Sequence, residues 1–403
     1  MKKSLTWIMV VLLLGTWLSG CRKADDKKGN IAAPDFYTEN LEEATTEVST
    51  TVVTEEPLRV AFASGVGLTP TDSRWKIDMA LADWCDKNQA EYAVYEDEES
   101  ISGGKIPSVK AALSKNPDIV VYYSSFGVEE ICKAARRHPK TFFLLLNCEN
   151  EGYYDYSEDK NIPFLGNVGS VYCDGLLTAY ISGYASVRLG FREIGVLSQF
   201  SGVLSDVYLQ GVDQAVAETG NNVHVRIVEN GGYFCECGAI EKEQPGVASR
   251  WCQDGVDLVY TPIGGYWLTS LIHEDLLGSE TCVAYEDNYH LTSSDEVFNR
   301  CAWIGVVHFG NVARWIMDEL SKDGGLETYG GKTTMVGIVN PECPFDNPIM
   351  PWKSTKWTED FAEEDYRLLL KRIYDGELSY EIGDQWSMDY QPYEPVNFTV
   401  ERN

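Results

Sequence analysis

Between residues 116 and 147 the chain reads N-P-D-I-V-V-Y-Y-S-S-F-G-V-E-E-I-C-K-A-A-R-R-H-P-K-T-F-F-L-L-L-N, and its apolar spacing changes twice. Residues 119–123 are a continuous apolar run behind the turn signal Asn116-Pro117-Asp118. Val128, Ile131, Cys132 and Ala135 then recur at i, i+3, i+4 and i+7, the spacing of one helical face, and His138-Pro139 stops that helix. Residues 142–146 form a second continuous run. Continuous rather than alternating runs suit strands covered on both faces of a parallel sheet. The pattern predicts a βαβ unit with a right-handed crossover. Both strands then end on one edge, with Ser124, Ser125 and Phe126 after the first and Asn147 after the second. Open α/β sheets bind ligands at that carboxyl edge, which makes Ser125 and Asn147 candidate site residues.

The same rhythm extends in both directions. Residues 58–64 predict a strand, followed by a helix carrying Trp75, Met79, Ala82 and Trp84. A strand at 92–95 and a helix at 107–113 lead into the βαβ unit. A strand at 163–168 and a long, nearly all-apolar helix at 171–189 follow it. Asp174, Arg188 and the small polar residues of that helix argue for a core helix packed closely through small residues, not a membrane span. A second series begins with a strand at 194–197, a helix at 203–218, a strand at 223–228 and a helix near 247–252. It continues with a strand at 256–261, a helix near 268–277, strands at 282–285 and 302–307, and helices at 311–320 and 360–374. Strand–helix alternation twice over predicts an α/β fold of two doubly wound parallel-sheet lobes with a hinge. The expected division is 57–168 for the first lobe, joined by about 288–330, and 169–287 for the second, joined by about 331–403.

The N-terminus changes the picture. Lys2 and Lys3 precede an apolar run over residues 5–17, shorter than a span of about 20 residues, so it reads as an export signal. Leu18-Ser19-Gly20-Cys21 follows at once and resembles the bacterial lipobox, in which the cysteine takes a diacylglycerol and becomes the mature first residue. Cys21 is therefore the expected lipidation site. Residues 22–56 are rich in Lys, Asp, Glu, Thr and Ser without helical period, the composition of a disordered tether. The expected location is the extracytoplasmic face of a bacterial cell membrane.

The chain has 403 residues and a formal net charge of -29, from 62 acidic and 33 basic side chains. No basic footprint exists for nucleic acid. Eleven cysteines include Cys21 and leave an even number that could pair outside the cytoplasm, although Cys132, Cys282 and Cys301 sit in apolar runs as buried thiols would. Cys235-Glu236-Cys237 lacks the second Cys pair or His pair of a zinc site, so no metal is expected. Gly65 and Gly67 open a GxGxxG-like turn whose third glycine is missing, which argues against a dinucleotide. No G-x-S-x-G or H-E-x-x-H occurs, and no catalytic residue or cofactor is expected.

Several segments together resemble solute-binding lipoproteins of the basic membrane protein type, which serve ABC transporters and include purine-nucleoside receptors. They are the lipobox, N-P-D-I-V-V at 116–121, F-F-L-L-L-N at 142–147, N-V-G-S-V-Y at 167–172 and G-L-L-T-A-Y-I-S-G-Y at 175–184. I-G-V-L-S at 194–198, Q-G-V-D-Q-A-V at 210–216, Gly264-Gly265 and V-A-Y-E-D-N at 283–288 complete the set. The resemblance implies a cleft between two lobes. Asn147 falls where the family holds ribose with an acidic residue, Glu286 on a second acidic position, and Gly264-Gly265 on a glycine-rich turn. His308 falls on a basic position that reaches ribose, Trp75 near one stacking aromatic, and Tyr233 or Phe234 on the other. The chain departs from the pattern at Gly65, where the family has an aspartate on the base, and at Pro70-Thr71-Asp72, where it has an acidic pair and a lysine.

Each candidate also has a structural reading: Trp75 packed in the first lobe, Tyr233 and Phe234 capping a loop, Asn147 in an Asx turn, Glu286 solvated, His308 satisfied in the core. The function expected is a monomeric, membrane-anchored binding protein that delivers a small polar ligand, a nucleoside in the family's case, to ABC permease and ATPase subunits. A ligand sensor for a membrane signalling partner is the alternative, and a secreted glycosidase-type hydrolase with two facing carboxylates a further one.

Overall fold

The structure is a computed structural model that describes residues 57–64, 73–97, 106–124, 127–155, 159–198, 202–229, 246–262, 279–287, 300–351, 355–382 and 391–402. Val52–Asn403 forms one unit. The first half runs β1 (Arg59–Ser64), α1 (Ser73–Lys87), β2 (Glu91–Glu96), α2 (Pro107–Leu113), β3 (Ile119–Tyr123), α3 (Val128–Arg137) and β4 (Phe142–Leu146). The hairpin β5 (Gly152–Asp155) and β6 (Lys160–Pro163) precedes β7 (Val168–Cys173). The second series is α4 (Gly175–Arg188), β8 (Glu193–Ser198), α5 (Val203–Thr219), β9 (His224–Glu229), α6 (Val247–Gln253), β10 (Leu258–Thr261), β11 (Cys282–Asp287) and β12 (Cys301–Val307). The chain closes with α7 (Phe309–Leu320), α8 (Gly325–Tyr329), β13 (Thr333–Val336), β14 (Ile349–Pro351), α9 (Glu363–Tyr374) and β15 (Thr399–Arg402).

These strands build two sheets. The first has the order β13-β7-β4-β3-β1-β2 and the second β14-β12-β11-β10-β8-β9-β15. All their pairings are parallel except β14 on β12. Each sheet winds outward from its first strand in both directions, the doubly wound order. The apolar runs behave as read: every residue of β3 and of β4 is buried. One face of the first sheet packs Val60, Phe62 and Leu144 against Ile77 and Leu81 of α1 and Val312 and Ile316 of α7. The other packs Val120 and Phe143 against α2 and α3. The second sheet packs Tyr260, Ala284 and Trp303 against α4, α5 and α9, and Val259 and Ile304 against Trp251 of α6.

The α4–α5 contact depends on glycine. A Cβ on Gly183 would come within 2.0 Å of the Tyr208 carbonyl oxygen, and one on Gly211 within 2.0 Å of the Tyr180 carbonyl oxygen. The two helices therefore cross backbone to backbone, as the small residues of the long apolar segment imply.

Some expectations are displaced. The strand expected at 163–168 is not one, since Pro163 ends β6 and Val168 starts β7. The helix expected from 171 begins at Gly175, because the Asp174 carboxylate accepts the Leu177 N–H at 3.1 Å and caps it there. The expected lobe division also changes. β7 lies in the first sheet, β12 in the second although it falls within 288–330, and β13 in the first although it falls within 331–403. The reason is topological. β7 and β12 are the fifth strands of the two doubly wound orders, and the chain changes lobe only after each is complete. The helix expected near 268–277 lies outside the described residues. Cys132 is a buried free thiol, Cys301 is buried, Cys282 is half-buried and free, and Cys85, Cys148, Cys173, Cys252 and Cys343 form no disulfide among the described residues.

Candidate ligand-binding site

Parallel pairing puts all carboxyl ends of a sheet on one edge. The chain passes between the sheets three times, and each passage leaves from such an end: β7 to α4 through Asp174, β12 to α7 through His308, and β13 to β14. The passages are bonded to one another. The Asp174 N–H donates to the Val336 oxygen at 2.9 Å, and the His308 N–H to the Pro348 oxygen at 2.6 Å. The Asn311 amide donates to the Phe345 and Asn347 carbonyls at 2.8 and 2.9 Å. Fully buried Asn347 shapes the third passage by accepting from the Val339 and Asn340 N–H groups at 2.9 and 2.8 Å. The two carboxyl edges therefore meet at one hinge.

Buried hydroxyls collect at these edges. Ser64 ends β1, Thr261 ends β10, Thr178 and Ser205 lie in the first turns of α4 and α5, and all are at most 1% exposed. None of the four hydroxyl oxygens has a hydrogen-bond partner among the described residues. Buried polar groups are almost always satisfied, so each of the four calls for a partner that no described residue supplies.

Glu286, near the end of β11, stands at the carboxyl edge of the second sheet beside β10 and β12. Its carboxyl accepts the Tyr260 hydroxyl, and the Tyr260 ring stacks on Tyr208 with centroids 4.0 Å apart. A Cβ on Gly305, its neighbour on β12, would meet Thr178 Cγ2 at 2.7 Å, Ser182 Oγ at 3.4 Å and Glu286 Cγ at 3.6 Å. The missing side chain at Gly305 thus lets Glu286, the Ser182 hydroxyl and the Thr178 methyl group converge. Ser182 Oγ already accepts the Trp303 indole N–H at 3.0 Å. Burial pushes the Glu286 carboxyl well above the usual carboxylate range, and the Tyr260 hydrogen bond offsets part of that. Relative to a free carboxyl the shift favours the neutral form, which both donates and accepts. Glu286 is half-buried and bonded to Tyr260, not a freely solvated charge.

His308 caps α7: its Nδ1 accepts the Asn311 N–H at 3.1 Å. Burial, with Lys76 and Arg314 nearby, takes the imidazole down to about 3. His308 is therefore neutral at physiological pH, which corrects its reading as a basic or pH-sensitive ligand contact. Trp75 is half-buried in the first turn of α1, next to Lys76, whose carbonyl oxygen would lie 2.7 Å from a Cβ on Gly310 of α7. Lys76, next to Trp75, and Gly310, two residues after His308, thus belong to one contact between α1 and α7. Asn147 follows β4 with a left-handed φ of 62° and donates its N–H to the Val171 oxygen at 2.8 Å. Asn147 and Glu286 mark the carboxyl edges of different sheets.

Ser125, Tyr233, Phe234, Gly264, Gly265 and Cys21 lie outside the described residues. Sequence reasoning missed Asp174, Tyr260, Thr178, Ser64 and Thr261. Asp174 carries a signal, an aspartate immediately before a helical run. The hydroxyls carry none, because Ser and Thr at strand ends are common and only their lack of partners distinguishes them. Among the described residues no cluster of His, Cys, Asp and Glu could hold a metal.

No protein-family model and no curated protein matches the sequence. Solved structures do match the fold. A solute-binding protein of an ABC transporter system from Conexibacter woesei aligns with TM-score 0.56 at 14% identity, covering 81% of this chain and 99% of that one. A transcriptional activator of the comK gene from Bacillus halodurans aligns with TM-score 0.53 at 12% identity, covering 80% and 99%. A solute-binding protein of an ABC transporter system from Aeropyrum pernix aligns with TM-score 0.49 at 14% identity, covering 81% and 94%. At these identities the likeness is one of fold: mixed α/β with parallel sheets, as in periplasmic-binding-protein-like solute-binding proteins.

Proposed function

We propose that this chain is an extracytoplasmic, lipid-anchored solute-binding protein that captures a small polar ligand between its two lobes and passes it to an ABC permease with its ATPase. The observation that carries the reading is the set of partnerless buried hydroxyls, Ser64, Thr178, Ser205 and Thr261, gathered with Glu286 at the carboxyl edges of two hinged sheets. No bond is made or broken. The ligand's polar groups supply the missing partners, and its binding closes the hinge. The hydroxyl-rich, acid-bearing edge suits a neutral molecule with several hydroxyls, and nucleosides are the first class to test. The L-S-G-C sequence at 18–21 supports the anchor on Cys21.

The test is a thermal-shift panel of nucleosides, sugars and amino acids, paired with mass spectrometry of any small molecule that co-purifies. One class should stabilise the fold by about 2.7 kcal/mol at a hundredfold excess over Kd. No shift with any class, and no co-purifying molecule, would overturn the reading. For the anchor, Cys21→Ser should move the protein from the membrane to the soluble fraction.

A further inference from the structure

The chain after α9 returns to the hinge. Leu378 is buried in the second-lobe core, and Glu381 and Gln210 of α5 exchange two hydrogen bonds of 2.8 Å. Between these anchors Tyr380 lays its ring near Tyr180 of α4, with centroids 6.1 Å apart. Its hydroxyl donates to the Asp174 carboxylate, 2.6 and 2.5 Å from the two oxygens. Asp174 is the single residue between β7 and α4. Its side chain caps α4 in the second lobe, while its N–H holds Val336 at the end of β13 in the first sheet.

We propose that Tyr380 is a latch on the hinge, a positioning residue through which the C-terminal segment sets the balance between open and closed arrangements of the lobes. The inference rests on the two-lobe binding reading and adds a control to it. Rotation of one lobe against the other must be absorbed at the passages, by the backbone dihedrals around Asp174 among them. Such rotation turns the Asp174 N–H, tied to the first sheet, relative to its carboxylate, tied to α4 and Tyr380. The phenol–carboxylate bond therefore favours one arrangement over the other. Leu378 and Glu381 anchor the tail that delivers Tyr380 to second-lobe helices, so it rides with that lobe and acts on the joint.

The test is hydrogen exchange by mass spectrometry on the full chain without ligand, comparing wild type with Tyr380→Phe. That variant keeps the ring and removes one hydrogen bond to a charged group, which corresponds to about a tenfold or larger change in an opening equilibrium. Faster exchange is expected at 122–124, 146–149 and 73–77, on the first-lobe edge and far along the chain from Tyr380, as well as at the hinge. Asp174→Asn retains a capping side chain and a neutral acceptor, and should move the same segments by less. Unchanged exchange, or a change confined to 173–178 and 378–382, would make the bond purely structural and overturn the latch. Should Tyr380→Phe not fold, Asp174→Asn decides by the same segments. No ligand is used, so a failed ligand screen and a failed latch are separate results.

Discussion

Glu286 and His308 were both readable in the sequence as polar residues at strand ends, but neither protonation state was. That state depends on what surrounds each group. Glu286 has a folded pKa above its unfolded value of 4.5. The folded state then binds the extra proton, so stability falls as pH rises from 4.5 toward the folded value. Glu286→Gln keeps a partner for the Tyr260 hydroxyl and removes this cost, so it should raise Tm at pH 7, and by less near pH 4.5, in thermal denaturation series. His308 has the opposite sign. Its folded pKa of about 3 lies below the unfolded 6.5, so its contribution is complete above 6.5 and is lost as pH falls toward 3. His308→Asn can still cap α7 but cannot charge, and should flatten the fall of Tm over that acid range. An equal acid dependence in wild type and variant would refute the neutral cap.

At the scale of elements, periodicity located most helices and strands, and its failures have a common cause. Where β7 runs into α4 the sequence is apolar throughout, and only the Asp174 cap separates strand from helix. The small residues of α4 were legible, but their use was not: Gly183 and Gly211 face the carbonyls of Tyr208 and Tyr180 across the α4–α5 crossing. Either glycine changed to alanine puts a carbon against backbone, which cannot move aside as a side chain can. Gly183→Ala or Gly211→Ala should therefore cost about 1–3 kcal/mol or more, read as a lower urea midpoint. A midpoint within error of wild type would show that the helices have room to part.

For the whole molecule, the tail illustrates how far a linear reading reaches. Within residues 341–403 only the helix at 360–374 is legible, yet they supply β14 and β15, both edge strands of the second sheet, besides that helix, α9, on its face. They also complete two buried acids. Asp206, 5% exposed, is paired with Arg402 at 2.5 Å. Asp213, 6% exposed, takes the Tyr393 hydroxyl at 2.6 Å and the Val396 and Asn397 N–H groups at 3.1 and 2.7 Å. Deleting residues 391–403 would remove these partners, open both carboxylates to water and uncover the β9 edge. A loss of stability of about 1.5–3 kcal/mol per hydrogen bond to a carboxylate is expected. Chemical denaturation of the truncated chain checks it, and undiminished stability would mean the tail is an ornament.

The order of apolar and polar residues by itself determined that there would be two parallel sheets, where most strands lie, and which edge holds the candidate residues. Those properties follow from local periodicity and from the rule that parallel strands end together. Which sheet receives β7, β12 and β13, which hydroxyls lack partners, and which groups stay uncharged were decided only in the folded molecule. They depend on neighbours distant in the chain, such as Tyr260 beside Glu286, Lys76 beside His308 and Tyr380 on Asp174. Burial and partnership belong to the assembled surroundings, and no stretch of sequence carries them alone.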